Sequence, residues 1–540
     1  MRPGPRLALL GLCILLGGAV THGQLRKQAR DGAPIKALTA AERAALGDPL
    51  FKLVLQTSPT ETRLDGIERR LMGTDGMRRL FVVHEEGLDP TPGRFLRAVL
   101  TYRGTTQTQT LQPNVALSVS FDHRGLSTDG LEAWGWDDAR SRYNYYRLDR
   151  QPGEAGLTWK FRGSSVGADA LSKTARDGTC MRCHINGGPV MKELKLPWNN
   201  WHSSSSPLDY LDGLGTGDWS IAAEPRFRQL SDALRLEVDV IGPSIKQFNG
   251  RRAKALVRTL PGAATSEVTD ARRLLKPLFV TTEYNLASAA QPSGLHPFPA
   301  VGTGPVEAVA VPDTFFLNAH LFAGGGPLQY RGLNVEDARE FGSVLAITPA
   351  EYRQLVEDFH TTVGGAQFDT QFAWFTPEAS HIDNHLIEVL VRGGVLTPEF
   401  AAAVLAVDLE TPVFSEARAS LLPRFVPARF RFKPRGADDV PAAHPDALTR
   451  TVIQAIRAAG TPAQGSPEAA LLLLLEDPDP LEKVRELVRA YLQRERTALT
   501  GSGRAAELRR LYTRLLDRRA KARTAVPDLV ESNFLFPVGQ

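Results

Sequence analysis

Between residues 78 and 163 the chain carries a pattern that a helix cannot use. Five runs, RLFVVH, FLRAVLTYRG, VALSVSFD, RYNYYRL and TWKFRG, are rich in β-branched and aromatic residues, and their apolar and polar positions roughly alternate. Successive strand side chains point to opposite faces, so a period of two suits a sheet with at least one buried face. Gly, Asp, Pro and Asn fill the breaks between the runs, as turn chemistry requires. The expected element is an antiparallel meander.

The second half changes period. TPAEYRQLVEDFH from Thr348 begins with a capping residue, a first-turn proline and Glu351 three residues after the cap, which together predict a helix start. TPEASHIDNHLIEVLVRGG from Thr376 and TPEFAAAVLAVDL from Thr397 open in the same way, the first stopping at Gly393 and Gly394. Asp479 and Pro480 open another helix, with Val484, Leu487, Val488, Tyr491 and Leu492 on one face. From Gly503, Leu508, Leu511, Tyr512, Leu515 and Leu516 make an apolar stripe with a strongly basic face opposite. That basic face reads as solvated surface or as a dock for an acidic partner. The fold class expected is α+β, an antiparallel sheet domain first and a mainly helical C-terminal half after it. The expected divisions are a leader over 1–23, a β-rich domain over 24–165, a segment with following helices over 166–285, a helical region over 286–440 and C-terminal helices over 441–540. Proline- and glycine-bearing stretches near 286–306 and 433–445 read as linkers or long loops.

Composition narrows the partners. A net charge of +4 is small beside 64 basic and 60 acidic residues, which argues against nucleic acid. The N-terminus, MRPGPRLALLGLCILLGGAVTHGQ, has Arg2 and Arg6 ahead of an apolar run from Leu7 to Val20, then small residues. That is the layout of a cleaved secretory signal, and the apolar run is short for a membrane span. Leu12 is too bulky for the usual lipoprotein site before Cys13. No later stretch reads as a membrane span, so the mature chain is expected to be exported, periplasmic, and without a transmembrane segment. Of the 3 cysteines, export with cleavage leaves Cys180 and Cys183.

These two stand in DGTCMRCHINGG, spaced C-x-x-C with His184 directly after. A redox disulfide is one reading, but such motifs normally follow a strand in a βαβ unit, and GADALSKTARDGT ahead of it reads as helix and then loop. Structural zinc needs four ligands, and no second cysteine pair exists to complete them. Covalent haem accounts for all three residues. Two sulfurs one turn apart suit two thioether bonds along one macrocycle edge, and the next residue can present an imidazole to the iron. Through Cys180, Met181, Arg182, Cys183 and His184 the chain resembles bacterial c-type cytochromes. The resemblance implies one haem c, attachment at Cys180 and Cys183, His184 as proximal iron ligand, and electron transfer with a redox partner protein. A sheet followed by a late motif also resembles, in layout, the cytochrome c′-beta group and its hydroxylamine-oxidising relatives, which implies an open or weakly ligated distal face.

The distal position is unassigned by the sequence. All 5 methionines lie at or before Met191, and Met191 is only seven residues past His184. His202, in PWNNWHSSSSP with Trp198 and Trp201, is a candidate distal ligand or a hydrogen-bonding residue. His381 and His385, four apart on an expected helix, can hold a metal, face a haem or simply border the apolar face. Asp383 between them departs from the zinc-protease pattern. His84, His123, His320 and His360 carry no local signal, and Tyr143, Tyr145 and Tyr146 read as packing or, less simply, as a radical relay. Three functions follow: an exported electron carrier, a haem c enzyme (peroxidase, oxygenase or hydroxylamine-type oxidoreductase) with an open iron position, or a haem-bearing sensor or structural partner in a larger complex.

Overall fold

A computed structural model describes residues 33–72, 78–84, 96–103, 113–122, 125–150, 155–165, 188–189, 224–226, 233–262, 264–287, 309–311, 313–322, 346–360, 376–435 and 446–525. The protein is α+β, with an antiparallel sheet in the N-terminal half and helices through the C-terminal half. Seven strands, β1 (Ala33–Pro34), β2 (Arg78–His84), β3 (Leu96–Tyr102), β4 (Val115–Asp122), β5 (Gly125–Asp137), β6 (Arg142–Arg150) and β7 (Leu157–Ser164), lie in the order β1-β7-β6-β5-β4-β3-β2. All neighbouring pairs are antiparallel, so β2 to β7 form the expected meander.

Both faces of the sheet are buried, and the period of two sorts the side chains between them. On one face Leu80, Leu100, Leu117, Tyr146 and Leu148 meet Leu50, Phe51, Val54 and, from helix α1 (Leu64–Met72), Ile67 and Leu71. On the other face Trp134, Trp136, Tyr143 and Tyr145 meet Ile245 and Phe248 of α2 (Gly242–Ala255), with Leu236 and Val240 just before it. Burying a large apolar side chain stabilises by roughly 1.5–3 kcal/mol. Covering both faces therefore secures the sheet far better than covering one.

The loop ahead of the π-helical turn Phe51–Leu55 is fastened to the sheet by buried polar groups. Asp48 accepts from Tyr146 Oη (2.6 Å), Asn144 Nδ2 (2.7 Å) and the Phe51 amide (3.0 Å). Asp137 accepts from the Gly47 amide at 2.9 Å. Burial raises the Asp48 carboxyl above its ordinary range while these three donors pull it down. Burial and the adjacent Asp48 push Tyr146 well up.

Ten helices carry the numbering used here. After α1 and α2 come α3 (Pro349–Asp358), α4 (His381–Arg392), α5 (Pro398–Ala406), α6 (Glu416–Phe425), α7 (Ala447–Ala458), α8 (Pro467–Leu475), α9 (Pro480–Thr500) and α10 (Arg504–Ala525). One apolar core runs from Ala253 to Leu515 and includes residues on both sides of 440. Helix α5 is buried along its whole length and packs against α8 and α9, as an all-apolar helix must. Among the described residues no helix is long and apolar enough to cross a membrane.

Three sequence expectations change here. Thr376–Ala379 is a strand paired with Tyr284–Ala287, and α4 begins five residues later, capped by Ser380. Leu487 is exposed while Val484, Val488, Tyr491 and Leu492 are buried. The basic side of α10 is largely consumed inside the fold. Arg504 bonds Glu351 (2.7 Å), Arg510 bonds Glu495 (2.7 Å), Arg509 pairs with Asp358, and buried Arg518 donates to Phe315 O (2.6 Å).

The Thr348 cap is as expected, with both halves of a capping box present. Its Glu351 also takes the Arg504 fork, and that bond above all holds the Glu351 carboxyl at about 2, against an ordinary 4.5. A carboxyl depressed on folding adds stability that is complete above 4.5 and is lost as pH falls towards 2. We therefore predict that Glu351→Gln flattens the acid limb of unfolding stability between those two values. A limb of unchanged slope in the variant would remove Glu351 from the acid response.

Candidate functional site

Cys180, Cys183 and His184 lie outside the described residues, as do His202, Trp198, Trp201, His123, the helix expected before the motif and most of both expected linkers. The described chain nearest the motif is Gly188–Pro189, four residues beyond His184 and buried. Its setting is defined. Tyr145 Oη donates to Gly188 O at 2.7 Å. A side chain at Gly188 would run into Ile382 and come within 3.4 Å of the Phe248 ring. Glycine lets the chain come close without displacing the end of the Ile382 side chain, at the place where a sheet face, α2 and α4 meet.

The wall on the sheet side is aromatic. Tyr143 packs against Trp136 (centroids 4.7 Å apart), Trp134 (5.1 Å), Phe248 (6.0 Å) and Tyr145 (6.5 Å). Strand alternation puts Tyr143 and Tyr145 on this face and Tyr146 on the other, so the three tyrosines do not form one row. Tyr143 Oη reaches Ser244 O at 3.4 Å, and burial raises its phenol. Trp136 Nε1 donates to Asp138 at 3.2 Å. Packing accounts for all of these contacts.

The helical side is polar and buried. Helix α2 runs along α4. Asn249 Nδ2 contacts Ile382 O at 2.8 Å and His385 Nδ1 at 3.3 Å, and Arg252 Nη1 donates to Asn249 Oδ1 at 3.1 Å.

Arg252 is 1% exposed, and its guanidinium lies 5.0 Å from the Phe248 ring centre. Its Nε and Nη2 have no hydrogen-bond acceptor among the described residues. Burial lowers it to about 10, with Asp383 and Glu283 opposing. Asp383 is buried too and accepts from the Thr282 hydroxyl (2.6 Å) and amide (3.2 Å). Burial raises its carboxyl, while the Thr282 bonds and the Arg252 charge lower it.

No family model, curated protein or solved structure matches the chain.

His381 and His385 are half-buried on α4, in the same helix as Ile382 and thus beside the Gly188 contact. Among the described residues no group of three or more His, Cys, Asp or Glu is arranged to hold a metal ion, so the pair has no third ligand there. His360 is exposed and backbone-strained, with φ 47°. His84 ends β2 and His320 sits in the short helix Ala319–Phe322. Sequence reasoning missed Gly188, Phe248, Asn249 and Arg252. NGRRAKA reads as an ordinary basic helix end, and only the tertiary packing of α2 against α4 shows that Asn249 and Arg252 point inward.

Proposed function

We infer that the protein is an exported, single-haem c-type cytochrome, with haem c on Cys180 and Cys183, His184 as proximal ligand, and electron transfer in the periplasm with a redox partner. The observation that carries this reading is C-x-x-C-H in a chain with one other cysteine, and that one in the leader-like N-terminus. Two structural features support it. Four residues of chain span at most about 14 Å, so the motif is tethered to the buried Gly188 contact and its aromatic wall. Arg252, one turn beyond Phe248, has two buried donor nitrogens, Nε and Nη2, without acceptors among the described residues, and a haem brings carboxylates that such groups can bind. The Arg252 guanidinium fits a carboxylate. Bound there, haem c would supply one-electron redox chemistry; the chain's share is ligation, burial and exclusion of water.

A second reading, a haem c enzyme with an open iron position, is favoured by the Asn249–His385 contact. The described histidine joined to this wall faces an amide donor through Nδ1, which is not how a histidine is held for iron ligation. An optical spectrum of the mature protein, oxidised, reduced and then with carbon monoxide, separates the two. Sharp low-spin bands indifferent to carbon monoxide support the electron carrier. A high-spin spectrum that shifts supports the enzyme. No haem spectrum, from a host able to attach haem c, overturns both.

A further inference from the structure

We propose that the outer face of the short strand Phe430–Phe432, with the basic residues that flank it, is the docking surface for an acidic protein segment. This holds whatever the C-x-x-C-H motif binds. The strand lies at one edge of a three-stranded sheet, beside Ser266–Val268, which pairs in turn with Val257–Thr259. Around it the sequence ARFRFKP alternates basic and aromatic residues. Phe430 is buried in the helical core and Phe432 packs against that core. Alternation turns Arg431 to the outer face, and carried one residue past each end it puts Arg429 and Lys433 on the same side. All of these basic side chains are exposed.

The fold does not answer the charge of this row. The basic side of α10 is spent on Glu351, Asp358 and Glu495. Arg429, Arg431 and Lys433 make no side-chain ion pair or hydrogen bond among the described residues. Glu267 is the carboxylate opposite Arg431, and Arg258 already holds it at 2.5 Å. Arg258 is itself exposed and extends the basic surface across the sheet. Side chains two positions apart on a strand are about 7 Å apart, inside the Debye length of about 8 Å at physiological salt. The charges of the row therefore repel one another, and an acidic segment relieves that repulsion. In extended form its carboxylates, at every second residue, repeat at the same spacing and can each meet one basic group. The aromatic side chains of the strand are turned to the core, so the surface has nothing to insert into a bilayer, which favours a protein over a lipid surface. Charge beside an edge strand also deters pairing with another sheet. That role needs no partner, and the experiment separates the two.

The test uses the full-length protein and, as probe, a fluorescent peptide that alternates glutamate and threonine, with binding followed by anisotropy. Wild-type affinity should fall as salt rises. Arg429→Gln, Arg431→Gln and Lys433→Gln together are expected to weaken binding about tenfold or more. Arg431→Glu alone, at an exposed site, gives a second reading should the triple variant misfold, and is expected to weaken binding severalfold. A control removes the same charge from scattered exposed positions, Arg69→Gln, Arg489→Gln and Arg496→Gln, and should change affinity less than about twofold. Equal losses in the two triple variants overturn the proposal, because net charge and not this strand then attracts the probe. A probe that fails to bind wild type overturns it as well. Unchanged affinity in a strand variant that now self-associates assigns the charges to edge protection and overturns it too. Binding of wild type to vesicles of equal parts phosphatidylglycerol and phosphatidylcholine, without binding to the peptide, assigns the surface to a membrane instead.

Discussion

Alanine at Cys180 and Cys183 together is expected to remove essentially all haem that stays with the chain after denaturation. Each thioether bond forms between a cysteine sulfur and the macrocycle, so a chain with neither sulfur can hold haem only by axial ligation and packing. Denaturation releases haem held that way. Each single variant should keep one thioether bond and its haem, with an altered absorption band. His184→Ala should keep haem on the chain and change its spectrum, because the axial bond and the covalent bonds are separate. The pattern across these variants matters more than any one of them. A chain that uses the cysteines as a disulfide or for zinc shows no haem in any variant or in wild type. Haem that survives denaturation in the double variant would falsify attachment at these positions.

The strands that were legible in the sequence and the longest one that was not differ in one respect. RLFVVH, VALSVSFD and RYNYYRL are β2, β4 and β6 almost to the residue, because local alternation and burial agree there. β5, GLSTDGLEAWGWD, escapes the reading because Gly125, Gly130 and Gly135 interrupt it. Two of those glycines answer tertiary demands. Gly130 has φ +77° where the β4–β5 register shifts, a conformation that side chains disfavour. Gly135 lies against buried Asp48, which leaves no room for a Cβ. A local pattern cannot register a neighbour 87 residues away in sequence.

The same division separates the helix starts. Thr348 and Thr397 cap helices as their sequences indicate. Thr376, with the same Thr-Pro-Glu opening as Thr397, is a strand residue, because Tyr284–Ala287 lies alongside to pair with it. Ser380 and Asp383, three apart, hold the signal that is used: the Asp383 amide donates to Ser380 Oγ at 3.0 Å. In the candidate site the C-x-x-C-H reading draws on adjacent residues alone, and those residues lie outside the described chain. Gly188, Asn249 and Arg252 were not legible, since each has its meaning only through α4, more than a hundred residues on. The basic face of α10 was misread for a related reason. Charge on a helix suggests water until the carboxylates of α3 and α9 are seen to meet it.

Arg418 shows how far such inward arginines hold the helical half together, and replacing it is the largest change in stability expected here. It lies on α6 and is 4% exposed. Nη1 donates to Leu405 O (3.3 Å) and Asp408 O (3.2 Å), and Nη2 to Thr411 O (2.9 Å) and Pro412 O (2.7 Å). One planar fork thus satisfies carbonyls along the turn between α5 and α6, and burial lowers the guanidinium to about 10, with Asp408 opposing. The same turn holds Phe414 at φ 58°, and its amide is tied to Thr281 Oγ1 at 2.6 Å. Arg418→Met keeps much of the volume and removes every donor. A buried carbonyl left without a partner costs about 1–3 kcal/mol, but the turn can move some of the four to water. We expect a net loss of about 3–5 kcal/mol, more than one such carbonyl costs and less than all four together. Arg418→Lys should recover little, since a single ammonium cannot span four carbonyls in a plane. Urea unfolding should show a lower midpoint at unchanged slope for both variants. Arg431→Ala, at an exposed strand position, serves as the control and should stay within about 0.5 kcal/mol of wild type. If Arg418→Met unfolds within about 1 kcal/mol of wild type, the turn finds its donors elsewhere and the fork is not what fixes it.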